Sequence, residues 1–206
     1  NFYPQRYTGL EYNYFIKCSE RFKKQGLRTS AFINSKSATF GPWSINDGLC
    51  TLEMHRDLGI TVQAKHLWAT GLIDDVVIGN AYASDNELKA LGELDTYQLE
   101  LEIEFFDGVS EIEKHILLNE KHIRRGDISE YMIRSTEVRK KHVNSDISKR
   151  DYDTQNVGDV VIGNNNFGKY KGETQIVIKE MPLDERKNRV AKVVSEEIFL
   201  LGFIGS

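Results

Sequence analysis

The spacing of apolar side chains changes near residue 94, and it predicts different structures on the two sides of that point. Before it, segments with apolar residues at helical spacing alternate with short, nearly continuous apolar runs that are typical of strands. The predicted helices cover residues 10–25, 51–59, 61–71 and 84–91, and the predicted strands cover residues 27–34 and 73–80. Ser84, followed by Glu87, matches a capping box. The alternation predicts a parallel sheet of βα units, with the second strand buried on both faces.

Beyond residue 94 the pattern is that of antiparallel strands. The run TYQLELEIEFF, at residues 96–106, alternates apolar and polar side chains strictly, as a half-buried strand does. Further short strands are predicted in HILLNEKHI, YMIRSTEVR, DVVIGNN, ETQIVIKEM, RVAKVV and IFLLGFI. The sequence therefore predicts two domains, residues 1–94 of α/β type and residues 95–206 of mainly β type, the second being a small barrel.

Composition is that of an ordinary globular protein, and it excludes several functions. The 206 residues are 40% hydrophobic and 28% charged, enough for a packed core. A net charge of −4 argues against binding to nucleic acid, because phosphate neutralisation needs a basic surface. No apolar stretch approaches the roughly 20 residues that span a bilayer, so no membrane partner is expected. Neither a dinucleotide-binding loop nor metal-ligand spacing occurs, so no cofactor and no metal are expected.

The two cysteines indicate the cellular compartment. Cys18 lies in a helical pattern and Cys50 in a predicted loop, and their spacing matches no metal site. Two free thiols are typical of a reducing environment. No secretory signal is visible in the sequence. The cytoplasm is therefore the expected location.

Polar and aromatic side chains collect where the predicted parallel strands end, which is where α/β proteins bind their ligands. These residues are Asn1, Tyr3, Arg6, Trp43 and Asn80. Amide, phenol, guanidinium and indole groups together suit a sugar, which they hold by hydrogen bonds and ring stacking. The alternative is that these residues only cap the strand ends, where polar partners are always needed.

The stretch TLEMHR places an acid and a histidine close together, near the start of a predicted helix. A carboxylate such as Glu53, if it faces a cleft, can act as general acid, base or nucleophile, and His55 can tune it or bind substrate. Alternatively, Glu53 satisfies the helix N-terminus and His55 lies on the surface. Spacing alone favours this second interpretation.

The second domain carries a set of arginines near acids and a tyrosine. Arg125, Asp127 and Arg134 lie within HIRRGDISEYMIRS, and Tyr170 lies in the Gly-rich stretch GNNNFGKYKGE. Arginine is the preferred partner of phosphate and carboxylate groups, because its fork donates two parallel hydrogen bonds. These four residues are therefore predicted to bind an anion. The alternative is a set of surface ion pairs with neighbouring acids.

Several motifs, taken in order, cover nearly the whole chain: NFYP, FGPW, TLEMHR, AKHLWATGLIDDVVIGNAYAS, RRGDISEYMIRS and GDVVIGNN. They resemble a bacterial family first described as outer surface proteins, whose characterised activity is that of a 6-phospho-N-acetylmuramidase. The resemblance implies an α/β plus β fold: the C-terminal part of a TIM barrel, followed by a small cyclophilin-like β-barrel domain. It also implies that the chain begins at about the sixth barrel strand.

The resemblance implies a function as well. The family hydrolyses the β-1,4 bond of N-acetylmuramic acid 6-phosphate–N-acetylglucosamine, a phosphorylated amino-sugar disaccharide from cell-wall turnover, in the cytoplasm. It makes Glu53 the expected catalytic residue, with a partner carboxylate on an earlier strand, and it makes the other residues singled out above the expected substrate-binding residues. A different class of function stays open, a non-enzymatic module that binds sugar phosphates or other anions. An unpaired barrel edge favours association, so a homodimer is one expected assembly.

Overall fold

A computed structural model describes residues 4–41 and 43–204. The chain divides into two compact units, Asn1–Glu100 and Leu101–Ser206. The division falls in the segment that joins the last helix of the first unit to the first strand of the second, and the predicted boundary at residue 94 lies in the same segment. Each unit has its own buried apolar core.

The first unit combines helices with one small parallel sheet. Its helices are α1 (Tyr12–Lys24), α2 (Ile60–Ala69) and α3 (Asp85–Gly92), its 3-10 helix is Glu53–His55, and its strands are β1 (Ser30–Ile33) and β2 (Asp75–Ile78). β1 and β2 run parallel, with Ser30 opposite Asp75 and Ile33 opposite Ile78. The alternation of strand and helix patterns predicted this pairing. A long loop joins β1 to the 3-10 helix.

The helices of the first unit begin where the sequence supplies capping groups. At the start of α1, the Glu11 carboxylate accepts hydrogen bonds from the backbone N–H groups of Asn13 and Tyr14. At α3 the predicted capping box is confirmed, because Ser84 and Glu87 each accept a hydrogen bond from the other's backbone. The buried core under these helices consists of Phe15, Ala31, Ile33, Leu52, Ile60, Ala64, Leu67 and Ile73.

The predicted C-terminal part of a TIM barrel is wrong. In the described part of the first unit the sheet has two strands, whereas such a barrel closes with about eight. Strand β2 is not buried on both faces either, since Val77 is 41% exposed. Side chains alternate along a strand, so Val76 and Ile78 pack on the core while Val77 lies on the other face. The apolar run correctly predicted that this segment is a strand. It did not predict that only β1 lies beside it in the described sheet.

The second unit is built on antiparallel strands. These are β3 (Ile103–Phe105), β4 (Met132–Ser135), β5 (Thr154–Gln155), β6 (Asp159–Gly163), β7 (Thr174–Val177), β8 (Met181–Pro182) and β9 (Lys187–Val193); the helices are α4 (Glu111–Asn119) and α5 (Ile198–Ile204), and the 3-10 helices are Val138–Lys141 and Asn165–Tyr170. Five strands form one sheet in the order β3-β9-β6-β7-β4, and β5 pairs separately with β8. Val160 and Ile162 of β6 face the core, where Ile116 of α4 packs with them.

The predicted cyclophilin-like barrel is also wrong. Strands β3 and β4 are the two outer strands of an open sheet, so the described strands do not close. Two segments predicted as strands, residues 115–123 and 198–204, contribute instead to helices α4 and α5. Ser110 and Glu113 form the capping box that begins α4. Short apolar runs fit a strand or a buried helix equally well, and here the cap decides.

Candidate functional site

Hydrogen-bond donors surround the carboxylate of Glu53. Its Oε1 accepts from the Tyr7 backbone N–H at 2.8 Å and from Arg56 Nε at 2.6 Å. Its Oε2 accepts from the Gly9 backbone N–H at 2.7 Å and from Arg56 Nη2 at 2.6 Å. A carboxylate has about four lone-pair positions, so these bonds fix its position and orientation. The side chain is nevertheless 28% exposed, so it can be approached from solvent.

The short 3-10 helix explains why Glu53 and Arg56 meet. Residues three apart on a helical turn are neighbours, so the two side chains lie on one face. The Arg56 side chain is only 2% exposed, and its Nη1 also donates to the backbone oxygens of Asp47 and Gly48. The guanidinium is thus fixed beneath the carboxylate.

The charge state of Glu53 follows from these contacts. Hydrogen bonds from Arg56, and then from the backbone of Tyr7 and Gly9, outweigh the effect of burial and lower the pKa of Glu53 to about 2. Glu53 is therefore ionised at neutral pH. A carboxyl group that donates a proton in glycoside hydrolysis needs a raised pKa. The geometry consequently suits an anionic role for Glu53 and not proton donation.

The segment before α1 is packed closely against this carboxylate. A Cβ on Gly9 would lie 2.6 Å from the Glu53 backbone nitrogen and 2.7 Å from its Oε2, so only glycine fits there. The next residue, Leu10, accepts a hydrogen bond from the Glu53 backbone N–H. Arg6 of the same segment donates two hydrogen bonds to Asp57, at 2.8 and 2.7 Å. The structure thus brings Arg6 and Glu53 into one cluster of loops.

Asn80, at the end of β2, is engaged with the loop that follows β1. Its amide accepts from the Ser35 backbone N–H at 2.9 Å and donates to the Ser35 carbonyl at 2.8 Å. Glu87 holds the same loop, because it accepts hydrogen bonds from the hydroxyls of Ser35 and Ser37. Although burial raises it, hydrogen bonds from Ser37, Ser84 and Ser35 lower the pKa of Glu87 to about 2. Asn80 therefore organises the loop, and its predicted contact with substrate stays a prediction.

His55 lies in the core. Its Nε2 is 2.6 Å from Nδ1 of His66, and both residues are 0% exposed. Burial lowers the pKa of both rings below the ordinary value. The alternative of a surface histidine is therefore wrong, and the predicted contact of His55 with substrate stays a prediction.

Exposed aromatic rings follow both strands of the first unit. Phe40 and Tyr82 are 66% and 81% exposed, and their rings meet edge to face at a centroid distance of 6.2 Å. Backbone hydrogen bonds between Phe40 and Ala81 join the two loops. Trp43, in the loop after β1, is 45% exposed. Aromatic faces at strand ends are suited to stacking on sugar rings.

In the second unit the structure brings Arg125, Asp127 and Arg134 together. Arg125 donates two hydrogen bonds to Asp127, at 2.5 and 3.0 Å, and its backbone N–H donates to the Arg134 carbonyl at 2.9 Å. Arg134 Nε donates at 2.8 Å to Glu173, whose side chain is fully buried. A cavity of about 340 Å³ is lined by Ile123, Arg124, Arg125, Gly126, Asp127, Thr136 and Glu137.

Tyr170 lies at the end of the 3-10 helix Asn165–Tyr170. The guanidinium carbon of Arg139 is 4.9 Å from the centroid of its ring, and Lys169 Nζ is 5.1 Å away. Cations over an aromatic face are attracted by its negative charge density. Tyr170 thus helps to order a basic part of the surface, and its predicted role in binding an anion stays a prediction.

Asn1 and Tyr3, both predicted to bind substrate, lie outside the described residues. Two residues that matter at the candidate sites were missed by sequence reasoning, Arg56 and Tyr7. Glu173 is one of the neighbouring acids of the alternative interpretation, and it pairs with Arg134 in a buried position and not at the surface. The spacing of Glu53 and Arg56 could have pointed to their pairing. Nothing in the local sequence indicates that Tyr7 faces a distant partner, because that contact depends on how the chain folds back.

Among residues 4–41 and 43–204, no group of three or more His, Cys, Asp or Glu side chains is arranged to hold a metal ion. Within the same ranges, no helix has both the length and the apolar character that crossing a membrane requires.

The fold and the sites define a protein of two units. The α/β unit carries a carboxylate bound by an arginine, and the antiparallel β unit carries two arginines that each pair with a carboxylate. Comparison with protein families specifies it further. The N-terminal family model of 6-phospho-N-acetylmuramidase matches residues 1–93, and the C-terminal model matches residues 99–206. The chain belongs to the 6-phospho-N-acetylmuramidase family, which confirms the resemblance seen in its motifs.

Two solved structures are similar over the whole chain. An uncharacterized protein of B. cereus is 64% identical with a TM-score of 0.95, and this chain covers 59% of it. A conserved Enterococcus faecalis protein of unknown function is 28% identical with a TM-score of 0.69, and this chain covers 55% of it. The chain thus spans little more than half the length of both proteins. No curated protein matches it.

Proposed function

We propose that this chain takes part in hydrolysing N-acetylmuramic acid 6-phosphate–N-acetylglucosamine, as a glycoside hydrolase of its family. The observation that carries the proposal is the partly exposed, ionised carboxylate of Glu53, held in one loop cluster with Arg6. The exposed rings that follow β1 and β2 add surfaces for sugar stacking. The two free thiols and the family resemblance support the cytoplasm as the site of this reaction.

The chemistry of glycoside hydrolysis sets the role of Glu53. Such enzymes normally use two carboxyl groups around a transition state that resembles an oxocarbenium ion, one to donate a proton and one that is ionised. Glu53 suits the ionised role, since its pKa is about 2. Asp57 is no better as an acid, because the hydrogen bond from Arg6 lowers the pKa of its carboxyl too. The proton donor is therefore a different residue from these two.

The proposal is tested with the purified chain and the 6-phosphorylated disaccharide. We expect release of N-acetylglucosamine, detected by chromatography, and weaker activity on the same disaccharide without phosphate. Binding of the disaccharide by calorimetry without any hydrolysis would contradict the enzymatic proposal. Absence of both hydrolysis and binding at millimolar substrate would contradict it as well, and would also remove the binding alternative for this ligand.

A second function, binding of an anion without catalysis, is favoured by the cavity beside Arg125. A guanidinium has five N–H donors, and the bonds to Asp127 use two of them. Arg124 lines the same cavity. The buried Glu173 fixes Arg134 nearby. Phosphate or a sugar phosphate is the anion that such forked donors suit best.

Arg125→Ala is expected to weaken the binding of N-acetylglucosamine 6-phosphate about tenfold to a hundredfold, because it removes charge-assisted hydrogen bonds of roughly 1.5–3 kcal/mol. Arg186→Ala is the matched control, since Arg186 also pairs with an aspartate two residues away, Asp184, in the same unit. We expect the control to change the dissociation constant less than twofold by calorimetry. Equal effects of the two substitutions would show that only the general positive charge matters, and the assignment of this cavity would be wrong.

A further inference from the structure

Tyr7 combines an unfavourable backbone conformation with an exposed ring. Within the described chain it is the one non-glycine residue with a positive φ, at 67°. Left-handed backbone is disfavoured for L-residues with a bulky side chain. The ring gains little from folding, because Tyr7 is 86% exposed. A glycine or asparagine would adopt this conformation more readily, so the local fold does not explain a tyrosine here.

Hydrogen bonds around Tyr7 hold the backbone in this conformation. Its N–H donates to Glu53 Oε1 at 2.8 Å, and the Gly9 N–H donates to Oε2 of the same carboxylate at 2.7 Å. The Thr8 hydroxyl donates to the Gln5 carbonyl at 2.5 Å. Strained residues persist where the surroundings fix them in this way, and they concentrate at functional sites. The backbone of Tyr7 is thus bonded to Glu53 while its side chain is exposed to solvent.

The groups around Tyr7 resemble those of a sugar-binding surface. Arg6, the residue before Tyr7, forms an exposed ion pair with Asp57. The Glu53 side chain is partly exposed. Polar groups of this kind bind hydroxyls, while an aromatic face packs against the C–H groups of a pyranose ring. The phenol adds a hydroxyl that can donate or accept a hydrogen bond.

We propose that Tyr7 is a substrate-positioning residue whose ring stacks on a sugar ring of the disaccharide next to Glu53. This inference rests on the proposed function, since it names the contact that the same site makes with its substrate. The strained backbone is maintained because it presents the ring. Tyr7 therefore contributes to affinity at the expense of local stability.

Three substitutions at Tyr7 separate the effect of the aromatic ring on binding from the effect of the strained backbone on stability. Tyr7→Phe keeps the ring, whereas Tyr7→Ala and Tyr7→Gly both remove it, and only glycine relieves the backbone. We expect Tyr7→Phe to bind the disaccharide within about threefold of the wild type, and both ringless variants to bind it about tenfold more weakly. In urea unfolding, we expect Tyr7→Gly to have a folded-to-unfolded ratio about fivefold higher than Tyr7→Ala. Tyr7→Gly is thus expected to be more stable than Tyr7→Ala and yet to bind the disaccharide no better. A purely structural role of Tyr7 would make affinity follow stability.

The outcomes also separate this inference from the proposed function. If the wild type binds the disaccharide and both ringless variants bind it equally well, the role of Tyr7 is wrong while the proposed function stands. If Tyr7→Gly restores the affinity that Tyr7→Ala loses, Tyr7 acts through the backbone alone, and the inference is wrong. If the wild type neither binds nor hydrolyses the disaccharide, the proposed function fails, and the inference fails with it.

Discussion

Glu53→Gln is expected to lower the free energy of unfolding of the first unit by about 2–4 kcal/mol at neutral pH. Glutamine offers one acceptor oxygen, and its NH₂ group cannot accept a hydrogen bond. Two of the four donors that reach Glu53 would then face another donor. One of the donor groups is the guanidinium of Arg56, which is 2% exposed and would lose its countercharge. An unpaired buried charge is among the costliest defects a protein can contain.

Fluorescence can follow this change, because both tryptophans of the chain, Trp43 and Trp68, lie in the first unit. Urea unfolding at pH 7 gives the free energy of unfolding for wild type and variant. The matched control is Asp57→Asn, which breaks an Arg–carboxylate pair with exposed fractions of 45% and 74% and is expected to cost less than about 1 kcal/mol. If the two substitutions cost the same, the bonds to Glu53 are not a buried charge network.

The same substitution also tests the part that Glu53 plays in the proposed reaction. At a temperature where Glu53→Gln remains folded, we expect its kcat to fall by at least about a hundredfold, because an ionised carboxylate is lost from the cluster. Near-normal turnover by the folded variant would remove Glu53 from the catalytic set and leave it a structural role.

Mild acid is expected to destabilise the first unit through His55 and His66. Burial lowers the pKa to about 3 for His55 and about 4 for His66, from an ordinary value of 6.5. In the unfolded chain both rings take up protons below about pH 6.5, whereas in the folded unit they stay neutral to much lower pH. The contribution of the two histidines to the free energy of unfolding is therefore complete above about pH 6.5, and it is lost as the pH falls below that value. Between pH 7 and pH 5 each histidine contributes a loss of about 2 kcal/mol.

The acids titrate in a different window, so the two effects can be separated. Glu53 and Glu87 have pKa values of about 2, below the ordinary value of 4.5. Their contribution to stability is complete above about pH 4.5 and is lost only as pH falls further, towards 2. The loss between pH 7 and pH 5 therefore reports on the histidines.

The measurement is urea unfolding at several pH values between 7 and 5, followed by tryptophan fluorescence. The double variant His55→Leu/His66→Leu replaces both rings by apolar side chains, and its free energy of unfolding should vary much less with pH. His122→Gln is the control, because it removes an imidazole that lies in the second unit, outside the buried pair. A wild-type stability that is flat from pH 7 to pH 5 would contradict the neutral buried pair.

Local features were predictable from the sequence where short-range rules decide them. The capping box of Ser84 and Glu87 was recognised because its residues are three positions apart, and α1 and α2 followed from apolar spacing over several turns. The segment at residues 115–123 was misread because its apolar run is short. The cap at Ser110 that begins α4 lies outside that run. Barrel closure could not be deduced, since the number of strands in a sheet is a property of the whole chain.

The candidate site was only partly predictable for a similar reason. The stretch TLEMHR indicated Glu53, and its neighbour Arg56 was within reach of a spacing argument. The other two donors to Glu53 are the backbones of Tyr7 and Gly9, more than forty positions earlier in the chain. Every residue except proline has a backbone N–H group, so the sequence does not indicate which acceptor a given N–H will bond to. His55 likewise reads as a polar surface residue until His66 is seen beside it in the core.

The carboxylate of Glu87 serves two structures at once. It completes the capping box at the first turn of α3, and it also binds the hydroxyls of Ser35 and Ser37 in the loop that follows β1. Fraying of that helical turn would withdraw the group that orders the loop, and displacement of the loop would weaken the cap. The first turn of α3 and residues 35–37 therefore form one cooperative opening unit, although they are about fifty positions apart in sequence.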